Sequence, residues 1–176
     1  MRTSGDAGPI VFRHLTEVDP ADIIDLMNDP SVRRHLPLMR RPFDAEICAG
    51  FVAAKEGMWA SHGYGPWALT QGDEFIGWGG LQPEGPDADL GLILKPTAWG
   101  VGRGLLERFL AFGFDQAELD SVIALLPPTR RGAALKRVGF VTDGAAEIGG
   151  ERFLRYRLFR SEWSGGAVGD VDAGRR

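Results

Sequence analysis

At 176 residues, 44% of them hydrophobic, the chain is the size of a single domain with one core of ordinary depth. Its net charge of −4 argues against a non-specific nucleic-acid binder, which needs a basic face. The single cysteine, Cys48, allows no internal disulfide, no apolar run reaches membrane-spanning length, and no signal-peptide core opens the chain, so a cytoplasmic protein that neither spans nor enters a membrane is expected.

Residues 1–9 and 164–176 are small, polar and glycine-containing, and are expected to be disordered. A single domain is expected over 10–163. Ile10, Phe12 and His14 begin a first strand. Pro20 opens a helix with Ile23, Leu26 and Met27 near helical spacing. Asp44 caps a second helix, with Ile47, Phe51 and Ala54 on one side. Segments 67–70 and 74–81 read as strands joined by the hairpin signal Gln71-Gly72-Asp73. Another strand covers 88–94. A helix from 102 to about 119 sets Leu106, Leu110 and Phe114 on one face. The apolar run 121–126 suits a strand covered on both faces. A short helix at about 130–138, stopped by Gly139, precedes strands at 140–142 and 152–158. This order predicts an α/β (α+β) mixed sheet with helices on its faces, without internal repeats or an interdomain linker.

The segment between Leu90 and Leu110 carries the most chemistry. A buried strand ends, a short turn follows, and Gly100, Gly102 and Gly104 stand at the start of an amphipathic helix. Free N–H groups and a partial positive charge at a helix start can hold a pyrophosphate. The phosphate-loop pattern ends in Gly-Lys-Ser/Thr, whereas Arg103-Gly104-Leu105 stands here. The dinucleotide pattern needs a glycine where Leu105 lies. From the glycines alone, a helix start that needs them only for its turn fits equally well.

Trp99-Gly100-Val101-Gly102-Arg103-Gly104-Leu105-Leu106-Glu107, preceded by Asp89-Leu90-Gly91-Leu92-Ile93-Leu94, resembles the acetyl-CoA loop of the GNAT N-acetyltransferase superfamily. It is most similar to the branch that acetylates ribosomal-protein N-termini and similar amines. Trp99 takes the first position of the Arg/Gln-x-x-Gly-x-Gly/Ala pattern, and Gly102 and Gly104 its last two. The stretches 75–81, 134–140 and 153–158 resemble that family's central strand, late helix and final strand. One departure is clear: where the family often carries Asn-x-x-Ser before the late helix, Pro128 and Arg131 stand.

The resemblance implies a GNAT-like fold whose strands near Leu94 and Val122 are parallel neighbours that splay apart. It implies acetyl-CoA as acyl donor, with main-chain groups of Leu92, Ile93 and Leu94 along the pantetheine. The turn residues Trp99 and Gly100, and the amides of Val101, Gly102, Arg103, Gly104 and Leu105, would lie at the pyrophosphate, where Arg103 adds charge or simply faces water. The implied activity is acetyl transfer to a primary amine, on a protein N-terminus or a small molecule, in a ternary complex. Gly79 and Gly80 would mark a bulge or close approach on the central strand. Asp89 matches the acidic residue that often opens the next strand, as general base or as a solvated strand-end charge, with Asp87 and Glu84 upstream; a water chain is the alternative proton path.

His14, His35 and His62 are scattered without metal-ligand spacing, so no metal is expected. Tyr156 suits a packing role better than that of a proton donor. The acceptor pocket is expected from 27–41, 59–67 and 82–87. Trp59, Tyr64, Trp67 and Trp78 could wall it or fill the core, and Arg33, Arg34, Arg40 and Arg41 form a basic cluster beside it. A homodimer is compatible with this reading. A non-catalytic acyl-CoA sensor and a nucleotide module sharing only the glycine loop are the competing classes.

Overall fold

The computed structural model describes residues 8–165. Seven strands form one open mixed sheet in the order β1-β2-β3-β4-β5-β7-β6. They are β1 (Ile10–Arg13), β2 (Pro66–Gln71), β3 (Glu74–Glu84), β4 (Asp87–Leu94), β5 (Ser121–Leu126), β6 (Val141–Ile148) and β7 (Glu151–Phe159). Every neighbouring pair is antiparallel except β4 and β5. Those two are parallel and meet at a single register, Asp89 opposite Ile123. Past that point the strands part, which is the splay the resemblance implied.

Local chemistry explains the helices. In α1 (Pro20–Asn28), Asp19 accepts from the Ala21 amide and Pro20 sits in the first turn, where a missing N–H costs nothing. Asp29 ends that helix and caps the next, α2 (Pro30–Arg33), accepting from the Ser31 and Val32 amides. In α3 (Ala45–His62), Asp44 accepts from the Ile47 amide, and Gly63 at φ 74° closes the helix in the left-handed region. Helix α4 (Gly102–Ala111) runs into a π-turn, Phe112–Gln116, so the single helix expected to about residue 119 ends early. Its continuation bulges so that Phe112 and Phe114 both stay buried. Helix α5 (Ala133–Arg137) is shorter than the expected 130–138.

The sheet separates two apolar layers. Phe109, Leu105 and Leu110 of α4 pack with Trp67, Leu69, Leu90, Leu94 and Leu135 on one face. Ile23, Leu26 and Met27 of α1 pack with Cys48, Phe75 and Trp78 on the other. The β2–β3 turn uses Gly72 at φ 60°, as the hairpin signal implied. The ladder's irregularity falls between Leu69 and Thr70, opposite 75–77, and not at Gly79–Gly80. Those two glycines instead mark close approach: a Cβ on Gly79 would stand 2.7 Å from the Gly91 carbonyl oxygen, and one on Gly80 3.0 Å from Pro66 Cα. Of the termini expected to be disordered, 1–7 and 166–176 lie outside the described residues, while the Gly8 carbonyl accepts from Gln71 Nε2 at 2.8 Å.

Candidate active site

The fork between β4 and β5 opens onto a channel of about 910 Å³. The outer edge of β4 forms one of its walls. Lys95 N–H donates to the Ile76 carbonyl of β3 at 2.8 Å. The Ile93 and Gly91 carbonyl oxygens also crowd the β3 glycines, at 2.2 Å from a Cβ placed on Gly77 and 2.7 Å from one on Gly79. Strand alternation therefore turns the main-chain groups of Ile93 toward β3 and those of Leu92 and Leu94 toward the fork. The Leu94 carbonyl accepts from Trp99 Nε1 at 3.1 Å, which holds the turn against the strand end.

That turn is a 3-10 segment, Pro96–Val101, leading straight into α4. No side chain caps the helix start and no acidic residue stands in its first turn. No side chain of this chain therefore competes for the amides of that first turn. Gly102 has φ −58°, open to any residue. A Cβ there would meet only Leu92 Cδ2 at 3.7 Å and Leu94 Cδ1 at 4.0 Å, and Cβ atoms on Gly100 or Gly104 would meet nothing within 4 Å. Neither backbone strain nor internal packing calls for these three glycines. What they keep clear is the space above the helix start, which fits a phosphate drawn close to the amides. Arg103 is paired with Glu107 at 3.5 Å along the exposed side of α4. Arg130 and Arg131, from the loop after β5, line the channel opposite.

Asp89 stands where β4 and β5 part, with Oδ1 buried and without a hydrogen-bond partner. An orphaned carboxylate oxygen in a channel wall is costly and marks a site held for something else. Burial, then the Glu84 charge, push its pKa up to about 7, against the lowering effects of the Leu125 N–H and the Lys55 ammonium. Directly across the β3–β4 ladder lies Gln82, and the two share a face of the sheet. Lys55 of α3 donates to Gln82 Oε1, with its ammonium 5.3 Å from the Phe51 ring centre and 5.5 Å from that of Trp78. Burial lowers the Lys55 pKa, and Asp89 and Glu84 oppose that shift.

The closed end of the fork is pinned by charge. Arg157 on β7 reaches Asp87 at 2.7 Å, Ser121 at 3.0 Å and Asp143 at 2.9 Å, so β4, β5, β6 and β7 are fastened together beside Asp89. Over the channel runs the segment from His35 to Arg41. His35 Nε2 accepts from Arg34 Nε at 3.1 Å, so its Nδ1–H donates to Thr129 Oγ1 at 3.0 Å, joining the loop after α2 to the loop after β5. Burial, then the Arg34 and Arg130 charges, lower the His35 pKa. Arg40 donates to the Gly149 carbonyl at the β6–β7 turn. Arg33 braces the segment from below, donating to the Arg41 and Met39 carbonyls at 3.2 Å.

The acceptor-side regions expected from the sequence are thus partly assembled here. Met27, the 35–41 segment, Trp78 and Gln82 line the channel. Trp59, Tyr64 and Trp67 do not: they pack in the α4-side core, on the opposite face of the sheet. Phe43 and Phe51 supply the aromatic wall instead. Asp87 is committed to Arg157. Tyr156 is buried in the core, its hydroxyl 2.3 Å from where a Gly132 Cβ would lie. Lys55 gives no signal in the sequence, because nothing local to α3 shows that it meets Gln82 of a distant strand; Arg130 requires knowing where the loop after β5 turns. Among the described residues, no group of three His, Cys, Asp or Glu side chains gathers to hold a metal, and no helix is long and apolar enough to cross a membrane.

Comparison with known proteins agrees with this fold. The family model described as an acetyltransferase (GNAT) domain matches residues 10–141. An acetyltransferase from Agrobacterium tumefaciens superposes with a TM-score of 0.71 at 22% identity, over 90% of this chain and 92% of its own. The spermidine N-acetyltransferase of Vibrio cholerae, solved with CoA and spermine, gives 0.64 at 18% identity, over 87% and 96%. An aminoglycoside acetyltransferase solved with coenzyme A gives 0.69 at 14% identity, over 88% and 96%. At these identities the structural likeness speaks for the fold.

Proposed function

From the premise that the chain belongs to the GNAT acetyltransferase family, and is an acetyl-CoA-dependent acetyltransferase acting on an amine, we propose that a primary amine attacks the thioester directly in a ternary complex, with Asp89 as general base. The acyl donor lies in the fork, its pantetheine extended along the outward main-chain groups of Leu92 and Leu94, with the Ile93 side chain lining the path. Its diphosphate meets the amides of Val101, Gly102, Arg103, Gly104 and Leu105, where the helix start favours negative charge. Trp99 and Gly100 shape the approach. Arg130 and Arg131 add charge from the far wall, where the family's usual Asn-x-x-Ser is missing.

The acceptor arrives from the α1–α3 side of the sheet, the side onto which Asp89 and Gln82 project. An alkylammonium cannot attack, so its proton passes first to the Asp89 carboxylate. The neutral nitrogen then adds to the thioester carbonyl carbon. Collapse of the tetrahedral intermediate breaks the C–S bond and releases the CoA thiolate, which takes up a proton as the new amide loses one. The sum is ammonium plus acetyl-CoA giving acetamide, CoA thiol and one proton. A thioester needs little activation, so alignment of the two reactants supplies much of the rate. A base that titrates near neutrality is well matched to this task.

One observation carries the reading: the unpartnered, buried Oδ1 of Asp89 at the point where β4 and β5 separate. The resemblance to the branch acting on protein N-termini, and the spermine held by a structural neighbour, bracket the acceptors to be tried. Free-thiol release from acetyl-CoA, followed across an amine panel and across pH, tests it. Turnover that rises with pH through about 7 and loses that inflection in Asp89→Asn is expected. An unchanged inflection would assign the proton to another group.

A further inference from the structure

The acceptor limb carries a charge pattern that narrows the amine. On the floor of the channel, cross-strand neighbours Asp89 and Gln82 stand side by side, about 5 Å apart at Cβ by ladder geometry. Asp89 offers a free acceptor, Oδ1. Next to it are donors: Gln82 Nε2, 2.9 Å from where a Cβ on Gly91 would lie, and the Lys55 ammonium. Among the described residues Lys55 makes one hydrogen bond, to Gln82 Oε1, and no ion pair. Its remaining N–H groups stand at a channel wall that also includes Arg40 and Arg41. Beyond this polar spot the limb is apolar, walled by Met27, Phe43, Phe51 and Trp78.

The geometry points to an α-amino acid with an apolar side chain as the acceptor, its amine at Asp89, its carboxylate at Lys55 and Gln82 Nε2, and its side chain between Phe43, Phe51, Trp78 and Met27. This rests on the acetyl-transfer reading above and names its substrate class. An α-amino acid puts one cationic and one anionic group within the span of a single cross-strand pair, in the order the protein presents their complements. A polyamine would set a second ammonium against Lys55 and the arginines, a like-charge contact that works against binding. A peptide N-terminus would offer Lys55 an amide oxygen where a carboxylate makes the stronger, charge-assisted bond.

The test compares leucine, methionine and phenylalanine with their carboxamides, with a dipeptide beginning in methionine, and with spermidine, by thiol release from acetyl-CoA. The free amino acids should exceed their carboxamides in kcat/KM by about tenfold or more, the scale of one charge-assisted hydrogen bond. In Lys55→Met that ratio should fall toward one, the acid losing far more rate than the carboxamide, and Lys55→Arg should restore it. A lysine of purely structural importance would lower both rates together and leave the ratio alone. Equal or better turnover of carboxamides, dipeptide or spermidine overturns the assignment while leaving acetyl transfer intact. An unmoved ratio in Lys55→Met does the same. No thiol release with any of these amines overturns both.

Discussion

The two limbs of the channel are built from different material. The proposed donor limb is main chain: the outward edge of Leu92 and Leu94, a helix start without a side-chain cap, and three glycines that neither strain nor packing requires. The proposed acceptor limb is side chains, drawn from α1, α3, β3, β4 and the 35–41 segment. Main-chain recognition asks mostly that side chains stay out of the way, so it fits within one short stretch of sequence. Side-chain recognition depends on register and packing between distant segments. The first can be kept while the second changes, which is how one fold serves many amines.

Substitutions can break this division or sharpen it. Asp89→Asn has the largest expected effect, lowering kcat/KM at pH 7 by about 1000-fold, within the usual span for removal of a general base. Acetyl-CoA affinity should hardly move. With the carboxyl pKa raised to about 7, the wild-type rate climbs as the carboxylate forms, and that inflection should vanish in the variant. Weakened acetyl-CoA binding would place Asp89 in the donor limb after all. Gly102→Val should weaken acetyl-CoA by about 100-fold, the value of one or two hydrogen bonds to a charged group. Melting should be unchanged, because the new Cβ meets only Leu92 and Leu94 side chains, at 3.7 and 4.0 Å. Titration calorimetry that returns a wild-type Kd would remove the glycine from the donor limb.

Replacing Arg130 and Arg131 together with alanine should cost about tenfold in acetyl-CoA affinity and flatten its dependence on salt, since long-range attraction between charges is screened. A salt response identical to wild type would show that these arginines do not face the donor. The smallest effect concerns stability. The folded chain binds the Asp89 proton more tightly than the unfolded chain does, so stability falls as pH rises from about 4 to about 7 and then levels off. Asp89→Asn should therefore gain about 2 kcal/mol at pH 8, near 5 °C in Tm, allowing for partial access of water to the group. The gain should fade toward pH 4. A variant that melts below wild type at pH 8 would mean that the carboxylate is held more comfortably than its orphaned oxygen suggests.

Legibility from sequence follows the same division. The strand–turn–glycine–helix run could be read directly because its parts are consecutive, and β5 shows its burial in an unbroken apolar run. Strand β6 extends to Ile148 through Asp143, Gly144 and Glu147. Its pairing with β7 decides that length, not any alternation of its own. The short α2 was missed because Asp29 and Pro30 look like a terminator for α1 when they also start a new turn. Trp59 and Trp67 are aromatic near the expected pocket, yet β2 turns Trp67 toward α4, and Trp59 of α3 packs beside it. Asp89 stood out by family resemblance. Its neighbours Lys55 and Gln82 could not, since their meeting requires the α3–β3 packing that only the folded chain supplies.

The single Asp89–Ile123 bridge, with Arg157 riveting the narrow end, leaves β4 with a bare flank inside an otherwise continuous sheet. A donor molecule laid along that flank becomes, in effect, an eighth strand segment. Its binding energy then adds to the cohesion of the two halves it joins. Acetyl-CoA should act as a thermal stabiliser of the whole domain, and amide exchange should slow first at Leu92 and Leu94, before any acceptor is present.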